Sequence, residues 1–403
     1  MRPRRDAAER RALGGMRAPE EAAAQERAWA TVRAAYLERP APAPPRRRHR
    51  AALVPVVAVL VAAAALSPAG AAVRRIINRA LAPVHVSHAP ALSLPAPGKL
   101  LVSNARGTWI VSAGGSVHRV GAWTQASWSP RAKFLAVGSA GSLAAVRPAG
   151  SVAWRLSERT VSDPRWYWPN GYRLAYRSGS DLREVAGDGS GDHVLAAGVA
   201  AVAPAWRPVH EFQLAYVTRH GAVVVRDADT GAPVWHSGPH RGRPIALSWS
   251  PTGARLVLVT SAGAWLYLPG QTPPLQIKLA VAGPVRSAAA SPDGRWLALV
   301  RGGAAGPADS VRPGSASAPQ LQLLDLTRPS RPPRTVLSGI AVSQPTWAPD
   351  SRWLVVAWSA AGQWWFVRAT GRPRVIAESR VAAALGAGGT PGPLRFDGWC
   401  CAS

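Results

Sequence analysis

One phrase recurs six times along this chain and constrains what it can fold into. It reads SWSPRAKFLAV from Ser127, YWPNGYRLAY from Tyr167, AWRPVHEFQLAY from Ala205, SWSPTGARLVLV from Ser248, AASPDGRWLALV from Ala289 and TWAPDSRWLVVA from Thr346. Its prolines stand at 130, 169, 208, 251, 292 and 349, so successive copies are offset by 39, 39, 43, 41 and 57 residues. A period of about 40 with four strands per unit is that of β-propeller blades.

Each part of the phrase has a physical job. The aromatic two residues before proline (Trp128, Tyr167, Trp206, Trp249 and Trp347, with Ala290 the exception) is expected to fill the wedge between adjacent blades. Proline followed by Asn-Gly, Thr-Gly, Asp-Gly or Asp-Ser suits the tight turn out of the inner strand, since proline presets φ and the small residue accepts a positive one. Five residues after proline, or six in the third copy, comes a leucine: Leu135, Leu174, Leu214, Leu256, Leu297 and Leu354. The run it opens is nearly all apolar, as befits a strand covered on both faces.

A second phrase, an apolar strand, a Gly- or Pro-containing turn and a short strand, marks an outer hairpin. It occurs around Gly115, Gly150, Gly189, Gly231, Gly270, Pro329 and Gly371, seven times against six inner phrases. Lys99 to Val120 supplies three strands without an inner partner, and the tail Leu394-Arg-Phe-Asp-Gly-Trp399 can supply it. The expected fold class is therefore an all-β propeller over 99–403, with seven blades preferred over six and the ring closed by pairing the chain ends, which removes exposed strand edges. The 57-residue interval is accounted for by a Gly, Ala, Ser and Pro-rich insertion from Gly302 to Gln320 that reads as a flexible loop.

At these phrases, over residues 99 to 399, the chain resembles the TolB-type family of WD-like propeller repeats, whose unit is Trp-Ser-Pro-Asp-Gly, two spacers and an apolar strand containing Ala. Ser291-Pro292-Asp293-Gly294 carries the full turn, and no copy has the Gly-His and Trp-Asp pairs of true WD repeats. The resemblance implies the fold; propellers host binding, scaffolding and catalysis alike.

Ahead of the propeller, Ala51 to Val73 is a run of 23 uncharged residues, and about 20 suffice to cross a bilayer as a helix. Arg46-Arg47-Arg48-His49-Arg50 precedes it, which sets the N-terminus inside by the positive-inside rule and the bulk of the chain outside. A cleaved signal peptide is the first competitor, but the 50 residues ahead of the apolar core are long for one. A buried soluble helix is the second, and it leaves the arginine cluster unexplained. The expected layout is a basic cytoplasmic tail at 1–50, a transmembrane helix at 51–73, a juxtamembrane linker at 74–98 and an extracytoplasmic propeller. Within the tail, Pro19 to Glu38 reads as a short helix, a candidate for a cytoplasmic partner, although few large apolar residues line its face. The amphipathic stretch Val73 to Leu81 is suited to lipid headgroups.

The net charge of +27 raises nucleic-acid binding. Its distribution argues against that: arginine is spread over every segment, and lysine occurs only at Lys99, Lys133 and Lys278. With abundant Ala, Gly and Pro, this usage is that of a GC-rich, actinobacterium-like bacterial genome. Residues 1 to 50 alone hold 13 arginines against 6 acids, the position of a cytoplasmic tail.

No catalytic, cofactor-binding or metal-ligating residue is assigned. There is no Gly-x-Ser-x-Gly elbow, and His118, His193, His210, His220, His236 and His240 lack His-Glu-x-x-His spacing. Gly187 to Asp192 (GDGSGD) lacks a calcium-loop ligand pattern and falls at a hairpin turn. The adjacent Cys400 and Cys401 are expected as two thiols. Among the 18 tryptophans, Trp128, Trp206, Trp249, Trp347 and Trp296 sit at core positions. The function expected is a membrane-anchored, non-catalytic binding, scaffold or sensor module with a protein or cell-envelope polymer as partner. The alternative is a propeller enzyme of lyase or glycosidase type, which would need Asp, Glu or His to converge at the central mouth.

Overall fold

The computed structural model describes residues 85–88 and 92–401, apart from 211, 271–272, 303–318, 380 and 386–393. The expected helix at Pro19–Glu38, the apolar segment 51–73, the stretch Val73–Leu81 and nearly all of the loop read between Gly302 and Gln320 lie outside those residues. Among the described residues no helix is long and apolar enough to cross a membrane. The chain divides into two compact units, Met1–Ala63 and Ala64–Ser403, and every described residue belongs to the second.

Among the described residues that second unit contains seven sheets, antiparallel but for one added strand, and these are the seven blades expected. Blade 1 joins Lys99–Asn104, Gly107–Ser112 and Val117–Gly121 to the C-terminal strand Arg395–Cys400, which pairs antiparallel with Lys99–Asn104 on its inner edge. The chain ends thus close the ring within one blade. The inner strands of blades 2 to 7 are Gln125–Trp128, Ser162–Trp166, Ala205–Trp206, Pro244–Trp249, Val285–Ala290 and Thr346–Trp347. In blade 2 a single long strand, Leu135–Val146, pairs with the inner strand through its first half and with the outer strand through its second. Blade 7 gains a fifth strand: His85–His88, in the stretch read as linker, runs parallel to the outer strand Arg374–Glu378. All seven predicted hairpin turns fall between the third and outer strands of their blades.

Pairing register, rather than spacing from proline, defines equivalent positions. Trp128, Trp206, Trp249, Ala290 and Trp347 stand opposite Leu135, Leu214, Leu256, Leu297 and Leu354. In the second copy the residue opposite Leu174 is Trp166, so the expectation for Tyr167 is off by one. Tyr167 is buried nonetheless, packing on Trp206 and Phe212 of blade 4. The seventh copy is split across the chain: Trp399 stands opposite Leu100. The indole N–H groups of Trp206, Trp249 and Trp347 donate to the inner-strand carbonyls of Arg165, Ala205 and Ala289 in the preceding blades, at 2.9–3.1 Å. Such a bond satisfies the polar end of an otherwise apolar wedge. Trp206, Trp249 and Trp347 are buried, while Trp128 and Trp296 are partly buried against the core.

The serine before proline has a role that spacing did not reveal. The hydroxyl oxygens of Ser129, Ser250 and Ser291 accept the backbone N–H five residues on, from Phe134, Arg255 and Trp296, and cap the turn. At the turn itself Gly253 and Gly294 take positive φ, 66° and 67°. A Cβ on Gly253 would lie 2.5 Å from the carbonyl oxygen of Pro208, and one on Gly294 would lie 2.7 Å from Cδ of Pro251. Successive turns are therefore stacked too closely for any side chain there. Ser351 and Ala132 adopt the same conformation without being glycine.

The apolar second and third strands pack in the wedges between blades. One cluster joins Ala298 and Leu323 of blade 6 to Trp347, Val356 and Trp365 of blade 7; another joins Val355, Trp364 and Phe366 of blade 7 to Leu100, Val102 and Trp399 of blade 1. The terminal cysteines depart from expectation: Cys400 and Cys401 form a disulfide with each other, and Cys401 takes a φ of 58° as the closing strand ends.

Candidate binding cavity at the propeller axis

Inner strands present one position per blade to the axis, the residue just before the wedge position, which is tryptophan in six blades and Ala290 in blade 6. By register these are Gly398, Ser127, Arg165, Ala205, Ser248, Ala289 and Thr346. Six are small and one is arginine. A cavity of about 650 Å³ opens there, lined by the inner strands of blades 1, 3, 5, 6 and 7, within the size range of ligand sites.

The polar chemistry of the cavity comes from blades 1 and 3. In blade 1 the register slips: Leu101 faces Gly398 and Val102 faces Phe396, so Asp397 between them is bulged out of the ladder. Bulges re-aim side chains in this way. The Asp397 side chain is 0% exposed. Burial pushes its carboxyl up to about 6, opposed by Arg395, by the Ser103 hydroxyl that donates to Oδ2, and by Arg165. Arg395 Nε lies 3.3 Å from Oδ1, which accepts no hydrogen bond among the described residues.

Arg165 Nη1 donates to the carbonyl oxygen of Pro164 at 2.8 Å. It forms no ion pair among the described residues, because the nearest acids are engaged elsewhere: Asp163 pairs with Arg177 and Asp397 with Arg395. Part of Arg165 faces the cavity, yet the surrounding blades strip enough solvent that burial lowers its guanidinium pKa; Arg395 adds to this, and Asp163 and Asp397 oppose it. The remaining wall is aromatic and proline-rich, with Trp168 52% exposed and Pro251 and Pro292 nearby.

The convergence that an enzyme of this shape would need is not what the wall offers. Asp397 is the one carboxylate among the described residues lining the cavity, and no histidine lines it. Four further acids of blades 2 to 4 are held by arginines: Glu158 and Asp192 by Arg183, and Glu184 and Asp229 by Arg173, which ties blade 3 to blade 4. Among the described residues no group of three or more His, Cys, Asp or Glu is placed to hold a metal. The GDGSGD segment is a hairpin turn, in which Asp188 Oδ1 accepts the backbone N–H and hydroxyl of Ser190.

Sequence reading missed Arg165, Arg395 and Asp397 as site residues. Arg165 was within reach, since aligning the six copies on their wedge tryptophans shows one arginine among small residues. Asp397 and Arg395 were not, because their copy of the phrase exists only once the tail is paired.

The chain thus has a seven-bladed β-propeller fold of the kind found in WD40 domains. It is similar to the β-propeller domain of Cps50 (Swd1) from Myceliophteria thermophila, at 14% identity over 70% of this chain and 98% of that one, with a TM-score of 0.54. It is also similar to the C-terminal WD40 domain of Sif2, at 11% identity over 73% of this chain and 86% of that one, with a TM-score of 0.51. No protein-family model and no curated protein matches the sequence.

Proposed function

We propose that this chain is a membrane-anchored, extracytoplasmic binding module of a bacterial envelope, related to the TolB-type propellers and non-catalytic, with its site at the mouth of the ring. The observation that carries this reading is the cavity wall: among the described residues, two arginines, one engaged carboxylate, Gln344, and otherwise small, proline and aromatic residues. That set is suited to holding a ligand and lacks paired acid and base groups. The 23-residue apolar run at 51–73 behind its arginine cluster supports the anchor, with the N-terminus cytoplasmic and residues 74–98 leading to the propeller. The partner is a protein or an envelope polymer reached from outside, and the segment Pro19 to Glu38 faces a cytoplasmic one.

Placement is tested by fusing alkaline phosphatase, which folds actively only outside the cytoplasm, to the C-terminus of the full chain. The expected result is an active fusion. A fusion that is active only with a cytoplasmic reporter such as β-galactosidase overturns the placement.

A further inference from the structure

Toward the rim of the ring, blades 2 and 3 border a second cavity, of about 500 Å³. Blade 2 lines it with Phe134 and Trp154 among others, and blade 3 with Tyr172, Gly187 and Asp188. Backbone contacts fix its shape. The N–H of Gly187 donates to the carbonyl oxygen of Tyr172 at 2.7 Å, and the indole N–H of Trp154 donates to that of Gly187 at 2.9 Å. A Cβ on Gly189 would lie 2.8 Å from Cδ2 of Trp154, so the hairpin turn lies directly against the indole and holds it in place.

This wall departs from the rest of the propeller in its rings and in its charge. Elsewhere aromatic rings pack on one another, as Tyr167 does on Trp206 at 5.4 Å between centroids. Phe134, Trp154 and Tyr172 make no such contact among the described residues, and Tyr172 is left 67% exposed. Arginines stand over several rings of the fold, including Phe134, where Arg147 is 5.8 Å from the centroid, but over neither Trp154 nor Tyr172 among the described residues. The chain carries 48 basic residues against 21 acidic ones, yet the one charged side chain lining this cavity among the described residues is Asp188. No arginine or lysine pairs with it among those residues. The Ser190 hydroxyl and N–H, both donating to Oδ1, hold its carboxyl below the ordinary value and so keep it ionised.

Aromatic faces attract a cation through their quadrupole, and an ionised carboxylate beside them supplies the opposite charge. An ammonium with free N–H groups is strongly hydrated and needs several acceptors in exchange, which this wall does not offer. A nitrogen covered by methyl groups needs none and presents apolar surface to the rings. A sugar would bring several hydroxyls to a wall whose indole N–H is already given to Gly187 and whose Asp188 Oδ1 is already taken by Ser190. We propose that the cavity between blades 2 and 3 binds a small, free quaternary-ammonium cation of the choline type, its methyl groups against Trp154 and Tyr172 and its charge balanced by Asp188. This site is separate from the one at the mouth of the ring and stands whichever side of a membrane the propeller occupies.

The experiment is calorimetric titration of the full-length chain in a polyoxyethylene detergent, which carries neither a sugar nor a choline group, with four probes. These are choline, its neutral isostere 3,3-dimethylbutan-1-ol, phosphocholine and N-acetylglucosamine. The expected result is one-to-one binding of choline, with the isostere weaker by about tenfold or more because it keeps the shape and lacks the charge. Phosphocholine is expected to be weaker than choline, since Asp188 opposes its phosphate, and N-acetylglucosamine is expected not to saturate the site. Asp188→Asn and Tyr172→Leu are each expected to lower choline affinity by about threefold to tenfold and, because both side chains are exposed, to leave the melting temperature unchanged. Equal affinity for choline and its isostere, N-acetylglucosamine binding as tightly as choline, or no binding of choline would each overturn the proposal. So would an Asp188→Asn chain that binds choline as the wild-type chain does. Phosphocholine binding more tightly than choline would overturn the assignment to a free cation in favour of a headgroup. The ratio of choline to isostere is read on the unmodified chain and so does not depend on how the variants fold.

Discussion

Blades 1 and 5 are built on one plan and differ where it matters. Blade 5 is contiguous, from Pro244–Trp249 through Leu256–Thr260 and Gly263–Leu268 to Leu275–Lys278; Ser248 faces the axis and Trp249 bonds back to Ala205. Blade 1 is assembled from strands at opposite ends of the propeller sequence. Its tryptophan, Trp399, stands in the same register but donates to the carbonyl oxygen of Pro97 at 3.2 Å, tying tail to entry segment rather than blade to blade. The bulges differ as well. Blade 5 bulges at Ile245, four residues before its tryptophan, whereas blade 1 bulges at Asp397, two residues before. A shift of two residues along the inner strand brings a buried carboxylate to the cavity. The difference teaches that the repeat builds the ring and that departures from it, at Arg165, Arg395 and Asp397, build the site.

Removing residues 394–403 breaks the comparison most severely. It uncovers the edge of Lys99–Asn104 and strips Phe396 and Trp399 from the cluster they share with blade 7. The expected outcome is loss of a cooperative thermal transition by circular dichroism, because an unclosed ring leaves both flanking blades half-packed. A melting curve equal to that of the full chain would mean that the strand is dispensable.

Single substitutions sharpen the equivalence. Trp399→Ala and Trp249→Ala each remove a buried indole from the same register position and should each cost about 3–5 kcal/mol in chemical denaturation. If the blade 1 strand merely leans on its sheet, Trp399→Ala will cost much less than Trp249→Ala.

The pH dependence separates the two blades next. The Asp397 carboxyl sits near 6 in the fold, above its ordinary value, so the folded state holds this proton more tightly than the unfolded chain. The stability linked to it is fully present below the unfolded-state value and is lost as pH rises through the folded value, a difference of roughly 2 kcal/mol between pH 4 and pH 7. Asp397→Asn should remove that loss, so that the variant gains on the wild-type chain as pH rises over this window. Glu378, on the outer strand of blade 7, is pushed up by burial to about 7 and contributes a second loss of the same sign. A gap between wild type and Asp397→Asn that stays constant across pH 4 to 7 would show that the carboxyl titrates as if exposed.

Much of the ring was legible because propeller strands obey local rules. Proline and a following small residue mark the turn, the leucine and its apolar run mark the strand between blades, and seven Gly- or Pro-containing turns count the outer hairpins. Reading failed where register, not spacing, decides. Tyr167 satisfies the distance from proline, but Trp166 faces Leu174, and only hydrogen-bond pairing separates them. The Ser129, Ser250 and Ser291 caps were visible as a recurring letter without a visible purpose, because their acceptor role depends on how the turn folds back. The disulfide between Cys400 and Cys401 likewise depends on the backbone at the end of the closing strand.

Fold class, blade count and the place where the ring closes follow from the periodicity of turns and apolar strands along the chain, which local rules of turn and strand formation make readable. The tertiary structure alone decided the cavity. Arg165 and Asp397 are far apart in the sequence, and they share a desolvated space only because seven inner strands converge on one axis and the tail enters blade 1 with a bulge. A charge is given its partners, or left without them, by that convergence.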